Sequence, residues 1–166
     1  MQSALTTYFT GEREGGLLVA LVGAGLLAVA ALLVGRGDLR PFAVTLGIWG
    51  FLALSVGVGL TLKTPAQVAG LLNQLGTDAQ AFFAAEAPRM ARVQRNFEIL
   101  ERIWFLFILV GAWVALRWKT HATVNGIALG ILVGASVVLA FDIIAERRGA
   151  VYLKALEQER AALAAR

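Results

Sequence analysis

The sequence predicts an all-α membrane protein: a four-span transmembrane helical bundle with both termini cytoplasmic and its third and fourth helices extended into a cytoplasmic helical hairpin. Three observations predict it. Four near-continuous apolar stretches divide the 166 residues, and three of them reach the roughly 20 residues a helix needs to cross lipid. Charged residues make up only 16% of the chain and hydrophobic ones 58%, against about 25% and roughly 45–50% in soluble domains. The fifteen lysines and arginines are divided unevenly between the two ends of those stretches, eleven against four.

The first span, about residues 15–35, carries no charge. A signal peptide competes for this stretch, because Ala28-Val29-Ala30 has the form of a small-residue cleavage site. The apolar run continues to Val34, however, and Glu12, Arg13 and Glu14 remove the positive n-region, so we expect a retained span. The second span follows Pro41, over about 42–62. The third, about 103–117, is short; it is bounded by Arg102 and Arg117, with Trp104 and Trp118 near its ends. Tryptophan favours the membrane interface, which supports it as a span. The fourth covers about 122–141.

Basic residues set the orientation. Arg36, Arg40, Arg117 and Lys119 lie in the two short connections, and the other eleven lie at the opposite ends of the spans. The positive-inside rule then places both termini and the long central segment in the cytoplasm, in a bacterial-type cytoplasmic (inner) membrane. The net charge of +4 reads as topology, with contact to anionic lipid. Basic and aromatic residues do not interleave, so no nucleic-acid partner is expected.

Three cytoplasmic helical segments follow, at about 66–75, 79–102 and 143–166. Thr64-Pro65 reads as a helix start, Gly76 as its end, and Thr77 or Asp78 as the next cap. Pro88 is expected to kink or restart that helix. Beyond it, Met90, Val93, Phe97, Leu100, Trp104 and Phe107 are spaced 3, 4, 3, 4, 3, the spacing of a coiled-coil seam. Its expected partner is the tail of the fourth helix, where Leu153, Leu156 and Leu163 recur. An amphipathic tail lying on the membrane surface is the alternative; the narrow apolar stripe favours the hairpin. A weak parallel repeat, 1–78 against 79–166, is suggested by Leu21–Ala24 recurring as Leu109–Ala112 and by Phe9 matching Phe97. Chance produces such matches readily in a chain this rich in Ala, Leu, Val and Gly.

The candidate sites are of three kinds. Gly126, Gly130 and Gly134 form one small-residue row, and Gly16, Ala20, Ala24 and Ala28 another. Such rows let helices approach closely in lipid, within a chain or between subunits. Asp142 and Glu146 match Arg102 and Arg95 in depth along the third and fourth helices. A ladder of two ion pairs is expected there, either as a clasp or as an ion-sensitive gate. The seam residues Met90, Val93, Phe97 and Leu100 are the third kind. His121 is the only histidine and cysteine is absent, so no metal or other cofactor is expected.

Arg92–Glu98 resembles the basic–Asn–Glu helix motif of the glutathione-using microsomal transferases. It precedes the third span here instead of opening the second, which removes that family's site. The glutamate that small multidrug transporters need inside the first span is missing as well. We therefore expect no enzyme. The leading expectation is a homo-oligomeric channel or other transport protein, lined by weakly polar Thr45, Ser55, Thr61, Asn125 and Ser136. The alternative is a membrane scaffold, assembly or regulatory subunit that recruits a cytoplasmic protein partner through its helices.

Overall fold

The computed structural model describes residues 1–165. It is built from four helices, α1 (Gln2–Leu33), α2 (Arg40–Thr77), α3 (Ala79–Arg117) and α4 (Ala122–Ala164), with a 3₁₀ turn at Gly37–Leu39 and no strand among the described residues. All four are long and apolar enough to cross a membrane. α4 alone is 43 residues, or about 65 Å at 1.5 Å per residue. Both termini and the α2–α3 junction lie at one end of the bundle, called here the terminal end; the two short connections form the opposite, short-turn end.

A single residue, Asp78, separates α2 from α3. Its carboxylate accepts from the Ala81 amide at 2.8 Å, the N-cap bond that satisfies one orphan donor of the new helix. Pro65 does not start a helix, nor Pro88 restart one, as expected. Pro65 lies inside α2 and Pro88 inside α3, so segment 66–75 is the continuation of the second span. Each proline deletes one ladder bond, and helix continues on either side of it. Thr64, expected to be a cap, is buried and turns its hydroxyl back to the Leu60 carbonyl at 2.6 Å.

α1 packs along α2, α2 along α4, and α4 along α3. The α1–α2 seam is made of small residues. Gly16, Ala20 and Gly23 face Gly50, Ala53 and Gly57, all buried. A Cβ at Gly57 would run into the Ala20 amide and the Gly16 carbonyl. On α2 the buried positions 43, 46, 50, 53 and 57 step by 3, 4, 3, 4, the 3.5-residue period of a left-handed helix pair. The expected row on α1 is corrected at two positions: Ala24 and Ala28 are exposed, and Gly23 and Ala30 are the buried residues there. A strict i+4 row drifts off a 3.5-residue seam.

The second row lies in the α2–α4 contact. A Cβ at Gly126 would lie 2.9 Å from the Phe42 amide, and one at Gly130 would lie 2.6 Å from Thr45 Cβ. Gly134 lies directly against the Trp49 ring. Large apolar side chains instead point outward, among them Leu32, Phe51, Phe105, Trp113 and Leu116. Lipid solvates them as well as protein does, so small residues mark the interior here.

At the terminal end all four helices contribute to one core, not α3 and α4 alone. Leu5, Tyr8 and Phe9 of α1 meet Phe82, Phe83 and Met90 of α3 and Tyr152 and Leu156 of α4, with Val68, Leu71, Leu72 and Leu75 of α2 against them. Of the matched repeat segments, Gly23 and Gly111 each face the other helix of their own hairpin.

Candidate functional site

The terminal-end core contains a charged network that sequence reasoning missed. Glu86 of α3 is almost wholly buried, 2% exposed. Arg89, one turn along the same helix, donates to both of its oxygens at 2.6 Å from Nε and Nη2, the bidentate geometry that makes Arg–carboxylate pairs strong. The Tyr152 hydroxyl of α4 donates to Glu86 Oε1 at 3.3 Å. Tyr152 stacks on Tyr8 of α1, with ring centroids 4.7 Å apart and planes within 5°. The Tyr8 hydroxyl in turn donates to Glu12 Oε1 at 3.1 Å. One polar chain thus joins α3, α4 and α1 through an otherwise apolar core.

Arg148 completes it from α4. Its Nη1 donates to the Gly11 carbonyl at 2.6 Å. Gly11 and Gly15 leave the slot in which its side chain lies; a methyl on Gly15 would come within 2.7 Å of Nη2. Among the described residues no buried side-chain polar atom lacks a hydrogen-bond partner.

The electrostatics follow from this burial. Desolvation first, and then the Glu12 charge, pushes the Tyr8 phenol well above its ordinary range. Tyr152 is raised by desolvation and by Glu86. Both phenols therefore stay protonated as donors. Desolvation also raises the Glu12 carboxyl, opposed by the Tyr8 hydrogen bond and by the Arg89 and Arg148 charges. The Glu86 hydrogen bonds raise the Arg89 guanidinium.

The expected charge ladder between the third and fourth helices is not what the structure contains. Asp142 accepts from Trp104 Nε1 at 2.7 Å, and Glu146 offers its backbone carbonyl to Gln94 Nε2 at 3.1 Å. Arg95 and Arg102 are exposed, and among the described residues neither forms an ion pair within 4.0 Å with Asp142 or Glu146. The depths were matched but the azimuths were not. Arg102 precedes Trp104 by two residues, about 200° around the helix, so it lies away from the side on which Trp104 meets Asp142 and borders Leu139 and Ile143 of α4 instead.

The seam is corrected in the same way. Met90 is buried, Val93 packs against the core and Phe97 is half-buried, whereas Leu100 is exposed. Beyond Phe97 the inward face runs through Trp104, Gly111 and Ala115. Trp104 sits edge-on to Trp49 of α2 at 5.8 Å between centroids. Trp49, Trp104 and Asp142 therefore form a second cluster, shared by three helices.

Four of the five residues considered for a pore lining, all but the exposed Ser55, are engaged locally. The Thr45 and Thr61 hydroxyls bond the Pro41 and Gly57 carbonyls at 3.0 and 2.8 Å. Ser136 bonds Leu132 O and Asn125 reaches Ala115 O, each at 2.7 Å. His121 is exposed at the start of α4, and no group of three or more metal-ligating side chains occurs among the described residues. No protein-family model, curated protein or solved structure matches the chain.

Proposed function

We propose that this chain is a non-enzymatic membrane scaffold or regulatory subunit, whose terminal-end bundle lies in the cytoplasm and receives a protein partner. One observation carries the reading. The small-residue rows that would join subunits or line a pore are filled inside one chain, Gly16 and Ala20 against α2, and Gly126, Gly130 and Gly134 against Phe42, Thr45 and Trp49. Thr45, Thr61, Asn125 and Ser136, four of the five residues that would line a pathway, bond to nearby carbonyls. Polar organisation is concentrated in the terminal-end core, where Glu86, Arg89, Tyr152, Tyr8, Glu12 and Arg148 fix three helices together. The excess of basic residues at that end supports a cytoplasmic placement of both termini, in an inner-membrane-type bilayer.

A second reading, a homo-oligomeric pore between copies, draws on α3. Its span packs mainly on α4 and leaves Phe105, Leu106, Leu109, Val110 and Trp113 exposed, a face that another copy would cover. Reconstitution into planar bilayers, with the mass of the detergent-free particle measured in parallel, separates the two readings. The scaffold reading expects no conductance at any voltage; a conducting oligomer would overturn it. Orientation is tested by Val151→Cys, the sole thiol in a chain without cysteine and a 72% exposed position. A membrane-impermeant maleimide is expected to label it only after the cells are permeabilised.

A further inference from the structure

An apolar groove opens on the surface of the spans where α2, α3 and α4 meet. Trp49, Phe107, Val114, Val124, Ile127 and Ile131 line most of it, its volume is about 330 Å³, and it exposes no polar surface. Two of its lining rings, Trp49 and Phe107, stand edge-on to Trp104, at 5.8 and 5.9 Å between centroids. The groove runs toward the short-turn end of the bundle, since Val114 lies one turn before the end of α3 and Val124 in the first turn of α4.

That end is basic. Arg36, Arg40, Arg117 and Lys119 lie there with one acidic residue, Asp38. Arg117 is three residues beyond Val114, on the same side of α3, and its guanidinium stands 5.6 Å from the Trp118 ring centroid. Arg40 opens α2, and the adjoining Pro41 and Phe42 rest on Gly126 of α4, one residue from groove-lining Ile127. The N-termini of α2 and α4 bring two positive helix-dipole ends to the same level. An open apolar groove beside a cationic rim is complementary to one kind of molecule: an acyl chain carrying a negatively charged head.

We propose that this groove binds one anionic glycerophospholipid, with an acyl chain between α3 and α4 against Trp49 and the phosphate near Arg117 and Arg40. The proposal holds whether the chain acts as a scaffold or as a pore. Basic residues at a membrane surface attract anionic headgroups, so each arginine is expected to contribute about fivefold in affinity. The acyl chain supplies binding common to anionic and zwitterionic lipids.

The test is native mass spectrometry of the full chain in detergent, titrated with phosphatidylglycerol or phosphatidylcholine of identical tails. One phosphatidylglycerol is expected to be retained per chain, in clear preference to phosphatidylcholine. Arg40→Gln with Arg117→Gln is expected to erase the preference and leave the weaker binding. Ile127→Trp, which fills the groove from an exposed position, is expected to abolish retention of both lipids; Val110→Trp serves as a second filler, and circular dichroism confirms that each variant is folded. Equal retention of the two lipids, or retention unaffected by either filler, would overturn the proposal. So would a preference that disappears with Arg95→Gln and Arg102→Gln at the opposite end instead.

Discussion

Glu86 shows how much one buried side chain organises. It accepts from Arg89 and Tyr152 in a core otherwise built of apolar and aromatic side chains. Removing its cation strands the carboxylate, so Arg89→Met is expected to cost about 3 kcal/mol, while Glu86→Gln, which keeps shape and most bonds, is expected to cost about 1 kcal/mol. The paired replacement Glu86→Leu with Arg89→Met is expected to recover most of the loss, because an apolar pair of similar volume needs no desolvation. Thermal unfolding followed by near-ultraviolet circular dichroism measures all three. Glu12 gives a pH dependence of known sign. Its folded pKa is raised, chiefly by burial, against the Tyr8 hydrogen bond and the Arg89 and Arg148 charges, with Glu86 adding to the rise. Its stabilising contribution is therefore complete below the ordinary glutamate range and is lost as pH rises through the folded value. Glu12→Gln is expected to gain melting temperature relative to the wild type across that window; a constant difference from pH 4 to 8 would refute it. None of this network was legible in the sequence. The i, i+3 spacing of Glu86 and Arg89 is that of any helical ion pair, and nothing local announces that Tyr152, 66 residues away, arrives beside them.

At the scale of the helix, the lipid-facing and buried faces follow a rule unlike that of the terminal end. In the spans glycine and alanine lie inside and the large apolar residues outside, so hydrophobic spacing points the wrong way. That is why Gly111 and Ala115 carry the contact with α4 while Leu109, Val110 and Leu116 are exposed. The spans, the Asp78 cap and the length of α4 were legible, because apolar run length and capping chemistry are local. The continuity of α2 through Pro65 was not, since tertiary packing on either side overrides one missing amide. Close approach of backbones yields a paired expectation. Gly57→Ala forces α1 and α2 apart and is expected to destabilise by about 2 kcal/mol or more. Gly25→Ala, at a position with nothing within 4 Å of a new Cβ, is expected to be neutral or to stabilise by up to about 1 kcal/mol through helix propensity. Equal effects of the two in a chemical-unfolding assay would show that the α1–α2 seam does not set stability.

The whole molecule is two hairpins joined at Asp78 and held by α2 on α4 together with the terminal-end core. Because those contacts do not depend on the one-residue connection, residues 1–77 and 78–166 expressed as separate chains are expected to copurify. Gly130→Leu, which collides with Thr45, is expected to prevent it. Failure of the unsubstituted halves to associate would mean that the covalent link, not the interface, keeps the hairpins together. The joint also has a spectroscopic consequence. Trp49 belongs to one hairpin and Trp104 to the other, and their rings lie edge to face at the place where the hairpins meet. Two indoles so close and so fixed couple their excited states, and the coupling vanishes once the halves part. The protein thus carries a built-in chromophore pair whose optical activity reports, without any label, whether its two halves are docked.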